Sequence, residues 1–314
     1  MNKRVVDFHC DALSKLLLNG DLSFQGASNG ELDVTYERLK AAGTALQVFA
    51  IYVPESMNGP IEPILESISR FHSHVLACPD MLFVRSKSDL RQCLSEGKIG
   101  AMLSLEGVDG LKGNLSLVQI MYELGVRAAG LTWNYTNWAA DGVMEPRGGG
   151  LTGKGKRMVA ECDRLGILVD VSHLSERAFW DVADAAERTI IASHSNAKAV
   201  LDHPRNLTDD QVKAIIALQG LLGVTFVPWF VADKASVGID DVLRHVEHLC
   251  ELGGENHIML GSDFDGIDRY VQQLTHPGQT PLLRDALLKR YTEGQTDAFM
   301  AGNALRFLER HLPE

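Results

Sequence analysis

Short apolar runs recur along the chain, each followed by a stretch with helical spacing. The runs cover 5–8 (VVDF), 44–53 (TALQVFAIYV), 99–105 (IGAMLSL), 126–132 (VRAAGLT), 167–171 (ILVDV), 189–192 (TIIA), 221–227 (LLGVTFV) and 257–260 (HIML). Near-continuous apolar runs, several rich in Val and Ile, suit parallel strands buried on both faces. Between the second and third runs, 61–77 places apolar residues at Ile61, Ile64, Leu65, Ile68 and Val75, the recurrence of an amphipathic helix. Comparable patterns over 115–124, 151–165, 175–186 and 240–252 predict further helices, and 281–312 supplies the last ones. Thr208, with Gln211 three residues on, has the signature of a capping box at another helix start.

Eight strands alternating with helices predict an α/β fold, a (β/α)8 TIM barrel, as a single domain over 1–314. A doubly wound open sheet usually carries a Gly-rich turn after its first strand. Here the first run leads into His9-Cys10-Asp11 instead. No repeat or change of composition marks a second domain.

Composition narrows the classes. The 314 residues carry a net charge of −11, which argues against nucleic acid or an anionic membrane as partner. No apolar run is long enough to span a bilayer, and the N-terminus lacks the apolar segment of a signal peptide. The five cysteines, Cys10, Cys78, Cys93, Cys162 and Cys250, form no C-x-x-C pair. They read as reduced thiols of a cytoplasmic protein.

Active sites of such barrels lie at the C-terminal ends of the strands, and polar chemistry collects there. The first run ends in His9-Cys10-Asp11, the third in Glu106, the fifth in His173, the sixth in His194, and the eighth in Asp263 and Asp265. Residues two apart on a strand face the same way, so His9 and Asp11 can reach one metal ion. Imidazole nitrogen and carboxylate oxygen suit zinc and similar divalent ions. His9 and Asp11 on one ion, His173 and His194 on a second, and Glu106 bridging make a two-metal site able to hold a hydroxide nucleophile. Asp265 reads better as a loop carboxylate than as a ligand, and Cys10, on the opposite side of its strand, as a packed thiol. His72 and His74 point to different helix faces. His245 and His248 share a face that reads as solvated beside Arg244 and Glu247. His203, His276 and His311 have no ligand-like neighbours, and His257 starts a strand at the far end. Gly148 to Lys154 matches a phosphate-loop pattern, but Gly155 stands where Ser or Thr is needed; the stretch reads as a flexible loop.

At these residues the sequence resembles the renal (membrane) dipeptidase family of metal-dependent, amidohydrolase-like barrels. The matching segments are DFHCD at 7–11, LEG at 105–107, GLTGKGKRMVAECDRLGILVDVSHLS at 150–175, SHSNAKAVLDHPRN at 193–206 and GSDFDG at 261–266. The resemblance implies a binuclear, usually zinc, centre on His9, Asp11, Glu106, His173 and His194. It implies Arg205 as the group that takes the substrate's free carboxylate, and Asp263 as the residue that passes a proton to the leaving amine. It further implies a homodimer acting on dipeptides, including ones with a D-residue at the C-terminal position. One position departs from the family. Trp133 stands where members commonly carry a His near the scissile carbonyl, so polarisation of that carbonyl falls to the metals or to Asn134. The alternatives are a binuclear amidohydrolase of N-acyl amino acids or lactams, and, from another class, a catalytically dead barrel kept as a binding protein. A phosphoesterase of this barrel type would show H-x-H at the first strand and more basic residues around the site.

Overall fold

A computed structural model describes residues 4–26, 31–57 and 59–314. Among the described residues, nine parallel strands form the sheet: β1 (Val5–Asp7), β2 (Thr44–Tyr52), β3 (Met81–Phe83), β4 (Ile99–Glu106), β5 (Val126–Gly130), β6 (Leu168–Asp170), β7 (Ile190–Ala192), β8 (Leu221–Val224) and β9 (Ile258–Leu260). All but β3 close into a ring in the order β1-β2-β4-β5-β6-β7-β8-β9, with β1 paired to β9. This is the eight-stranded barrel expected from the apolar runs, and each run coincides with one barrel strand. The short β3 is an addition: it pairs with the start of β4 at 99–101, below the point where β5 joins that strand.

Helices cover the outside. Gly153–Leu165, Glu176–Ala185 and Ile239–Glu251 lie where the spacing predicts them. Asp209–Ala217 begins with the reciprocal Thr208–Gln211 capping box. Among the described residues, four helices went unpredicted: Ala12–Leu18, Tyr36–Ala42, Lys87–Glu96 and the single turn Pro228–Val231. The 148–154 stretch is a βα loop running into Gly153–Leu165, with the Thr152 hydroxyl accepting from Gly155 N–H to cap that helix.

Alternation along the strands sorts the barrel interior into layers. Met102, Ala128, Leu168, Ile191, Leu221 and Met259 form a buried apolar layer, continuous with Phe307 and Leu308 of the helix Asn303–His311. Two residues further along, the same side of the wall carries Ser104, Asp170, Ser193 and the glycines Gly130, Gly223 and Gly261. The polar chemistry therefore starts where the apolar filling stops, one layer below the C-terminal rim.

Candidate metal centre

His9, Asp11, Glu106, His173, His194 and Asp263 converge on one point at that rim. His9 Nε2 lies 3.5 Å from Asp11 Oδ2, 3.5 Å from Glu106 Oε2 and 3.7 Å from Asp263 Oδ1. Glu106 Oε1 faces the other way, 2.9 Å from His173 Nε2 and 3.8 Å from His194 Nε2. The two imidazole Nε2 atoms are 2.8 Å apart. The five predicted metal donors and the predicted proton carrier Asp263 are thus brought together, with Glu106 between the two histidine groups. Two ligands on one tetrahedral zinc, each about 2.0–2.1 Å from it, stand about 3.4 Å apart. The His9, Asp11 and Glu106 spacings match that value.

Elementary electrostatics gives the same answer. His9 Nε2 and Asp11 Oδ1 are buried with no hydrogen-bond partner, an arrangement costly unless a further group completes it. Burial pushes the Asp11 carboxyl well above the ordinary range, and Glu106 adds to this. Burial also opposes the charge on Glu106, but His9 and His173 overcome it and hold that carboxyl well below its usual value. At His9, burial acts against protonation, yet Glu106 and Asp11 keep the imidazole well above its normal range. His194 is driven well down by burial and by His9, and His173 down by burial and by Arg205. Lone pairs are crowded together in a buried volume, and a divalent cation is the group that reconciles them. His9, Glu106 and His194 form one candidate ligand set, and His9, Asp11 and Asp263 another.

Local structure aims each donor. Cys10 bridges Phe264 in parallel and Asp263 N–H donates to His9 C=O, so the β1 and β9 ends advance together. Asp263 and Asp265 take positive φ, 68° and 70°, the left-handed region that Asp tolerates better than most residues. Gly266 follows, and a Cβ there would collide with the carboxylates of Asp11 and Asp263. Asp265 turns away from the metal donors. It accepts from Asp33 N–H (2.7 Å) and Val34 N–H (2.9 Å) and pairs with Lys15 (2.9 Å), the loop role expected of it. Cys10 is buried among apolar side chains.

A cavity of about 390 Å³ opens over the cluster, at the small end of the roughly 300–1,000 Å³ of small-molecule sites. Asp11, Glu106, His173 and Asp263 form its floor, and Arg205 stands in its wall. Arg205 is only 3% exposed. Its guanidinium donates to the carbonyls of Ser172 and His194 and approaches His173 Nε2 at 3.1 Å. No carboxylate among the described residues lies within ion-pair distance of it. Burial lowers its pKa to about 10, so it stays charged. Trp133 lines the cavity beside Tyr52, with ring centroids 5.2 Å apart. Asn134 also lines the cavity, but its Oδ1 takes the Nδ1 side of His173 at 3.0 Å.

Sequence reasoning missed several wall residues. His203 packs its ring 4.5 Å from that of Phe230, and both line the cavity with Trp229. His245 corrects a prediction. It is not on a solvated face but fully buried, at 0% exposure, because it shares the inward stripe of its helix with Val242, Val246 and Leu249. Its Nδ1 accepts from Ala197 N–H and its Nε2 donates to Val231 C=O.

Comparisons with known proteins agree with this geometry. The sequence profile of the membrane dipeptidase family, peptidase family M19, matches residues 1–311. A crystal structure described as dipeptidase AC, a metallopeptidase of family M19, superposes with a TM-score of 0.92 at 30% identity over 100% of both chains. A metallopeptidase from Rhodobacter sphaeroides, liganded with a phosphinate mimic of the dipeptide L-Ala-D-Ala, superposes with a TM-score of 0.91 at 29% identity, covering 98% of this chain and 99% of that one. Dipeptidase aclJ of Aspergillus oryzae is 33% identical over 88% of this chain and 69% of its own length.

Proposed function

The chain belongs to the membrane dipeptidase family, peptidase family M19, and is with it a metal-dependent hydrolase of the peptide bond; we propose that it cleaves dipeptides using two divalent ions, zinc by preference. His9, Asp11, Glu106, His173 and His194 would hold them, Glu106 serving both. When bound, the two dications activate water for attack and draw charge off the carbonyl oxygen. Every other task falls to the chain's own groups. Asp263, 3.7 Å from His9 and open to the cavity, takes the proton of the attacking water and returns it to the leaving amine. Arg205 pairs with the substrate's C-terminal carboxylate and so excludes longer chains at that end.

The observation that carries this reading is a buried, charged guanidinium with no carboxylate among the described residues within ion-pair distance, set in one wall of a small cavity whose floor is a cluster of lone pairs. The L-Ala-D-Ala mimic on the Rhodobacter sphaeroides relative supports a D-residue at the C-terminal position. The Trp133–Tyr52 pair offers an apolar shelf for a substrate side chain, and Trp133 offers one neutral N–H where the family commonly has a His. Five cysteines without disulfides support a cytoplasmic setting. The homodimer rests on the family likeness, and analytical ultracentrifugation checks it.

Metal analysis joined to a dipeptide library with L and D residues at each position tests the proposal. The expected result is two ions per chain and chelator-sensitive cleavage, both lost in Glu106→Gln while the circular dichroism of the metal-free protein is unchanged. Faster cleavage of N-acyl amino acids than of any dipeptide would replace the substrate assignment. Zinc uptake well below two ions per chain without any hydrolysis would favour a binding protein.

A further inference from the structure

Beneath the metal donors, in the polar layer of the barrel, Asp170 ends β6 without reaching the cluster itself. Its two oxygens have separate tasks. Oδ1 accepts from Ser172 N–H (3.1 Å), Ser172 Oγ–H (2.7 Å) and Ser193 N–H (2.9 Å). Oδ2 accepts from Ser193 Oγ alone. Ser193 Oγ in turn lies 2.7 Å from His194 Nδ1. A carboxylate can only accept, and a hydroxyl has a single proton. With that proton committed to Asp170, Ser193 presents a lone pair to His194, and Nδ1 must carry the ring proton. Nε2, the atom facing Glu106 and His173, then carries no proton and presents its lone pair to the cluster.

We propose that Asp170 is a positioning residue that acts through Ser193 to hold His194 in the Nδ1–H tautomer, the only one able to ligate a metal through Nε2. The role goes one step deeper than the metal site and rests on it only for its consequence, since the tautomer exists in metal-free protein. Partners behind a ligating histidine commonly fix its tautomer and are worth 10–100-fold in metal affinity. Here the fixing group is two bonds away, relayed by a hydroxyl that can turn over.

Asp170→Asn tests the relay. The variant keeps an oxygen for the three Oδ1 bonds and puts an amide N–H at the single Oδ2 contact. That N–H donates to Ser193, whose proton then has His194 Nδ1 at 2.7 Å and Ser172 Oγ at 3.2 Å to choose between; the closer nitrogen takes it, which forces the ring proton onto Nε2. Histidine-selective 15N NMR of metal-free protein should show His194 as Nδ1–H in the wild type and Nε2–H in Asp170→Asn. Zinc affinity by competition with a chromophoric chelator should fall roughly 10–100-fold in that variant. Adding Ser193→Ala removes the misdirected hydroxyl, and the double variant should bind zinc within about threefold of Ser193→Ala alone. A merely structural Asp170 would leave the double variant as weak as Asp170→Asn or weaker. That outcome, or an unchanged tautomer in Asp170→Asn, overturns the proposal. A wild type that took up no zinc would overturn the metal reading instead, and the NMR arm would still decide this one.

Discussion

His245 offers a test of how the rim is held in place. Burial, opposed only in part by its hydrogen bond to Val231 and assisted by the nearby Arg244, pushes its pKa from the ordinary 6.5 down to about 4. The folded state therefore binds fewer protons than the unfolded chain between pH 6.5 and 4. Stability from this residue is fully present above pH 6.5, falls as the pH drops through that window, and is gone below about pH 4. At about 1.4 kcal/mol per pH unit, the gap corresponds to roughly 3 kcal/mol. The consequence is local as well as global. Nδ1 is the acceptor of Ala197 N–H, and protonation there converts it to a donor facing a donor. Ala197 lies three residues past His194 and pairs with Leu207, two past Arg205, so the broken bond loosens the segment that carries both. His245→Gln cannot titrate. Urea unfolding at pH 7.5 and 4.5 should show the variant losing about 2.5 kcal/mol less than wild type across the interval. Parallel losses, equal within about 0.5 kcal/mol, would refute the assignment of the acid sensitivity to this histidine.

Three further outcomes follow from the cavity. Arg205→Lys and Arg205→Ala should lower kcat/KM on free dipeptides by about 30-fold or more, the loss of roughly 2 kcal/mol from an unpaired carboxylate, while dipeptide amides are cleaved by variant and wild type at similar rates. An equal loss on both substrates would remove Arg205 from carboxylate recognition. Gly266→Ala should cut zinc affinity, measured by chelator competition, about as much as losing a supporting contact does, some 10–100-fold, because its Cβ would displace the carboxylates of Asp11 and Asp263; unchanged affinity would show that the turn yields freely. Trp133→Ala should reduce the preference for apolar over glycyl dipeptides by about 2- to 10-fold, the worth of one aromatic contact, and an unchanged ratio would move the side-chain shelf elsewhere.

The barrel was legible because parallel strands buried on both faces leave continuous apolar runs, and eight such runs mark its eight strands. The metal donors were legible because barrel geometry says where along each run to look. What escaped had weaker signals for identifiable reasons. Lys87–Glu96 buries only Leu90 and Cys93, too few for a visible period. Ala12–Leu18 lacks a side-chain N-cap because the carboxylate of Asp11, which precedes it, faces His9 instead. β3 is no shorter than β1, β6, β7 or β9, but it adds a ninth strand to a run-and-helix alternation that eight runs already complete. His245 was misjudged from its charged sequence neighbours, although its spacing from Val242 and Leu249 placed it on the apolar stripe. Asp170 and Ser193 were inside the matched segments but carried no ligand spacing. Their part emerges only when strands β6 and β7 are side by side.

That adjacency also explains why the rim tolerates so little side-chain volume. The Ser193 carbonyl leans inward so far that a Cβ at Gly223 of β8, or at Gly261 just beyond β9, would overlap its oxygen. Two strands thus give up side chains at the level where a third brings in its backbone. Ser195 N–H donates to Gly223 C=O at 2.7 Å, so the chain after β7 is pinned on both sides of His194. The imidazole consequently cannot retreat from Glu106 by moving its backbone. It can adjust only by turning its ring or moving its proton. The turn is opposed by stacking on His9, at 3.8 Å between centroids, and the proton by the Ser193 hydroxyl. A ligand confined in this way makes the metal site dependent on bonds made one layer below it. The polar layer between the apolar filling and the rim is therefore part of the active site, although none of its members reaches the cavity floor.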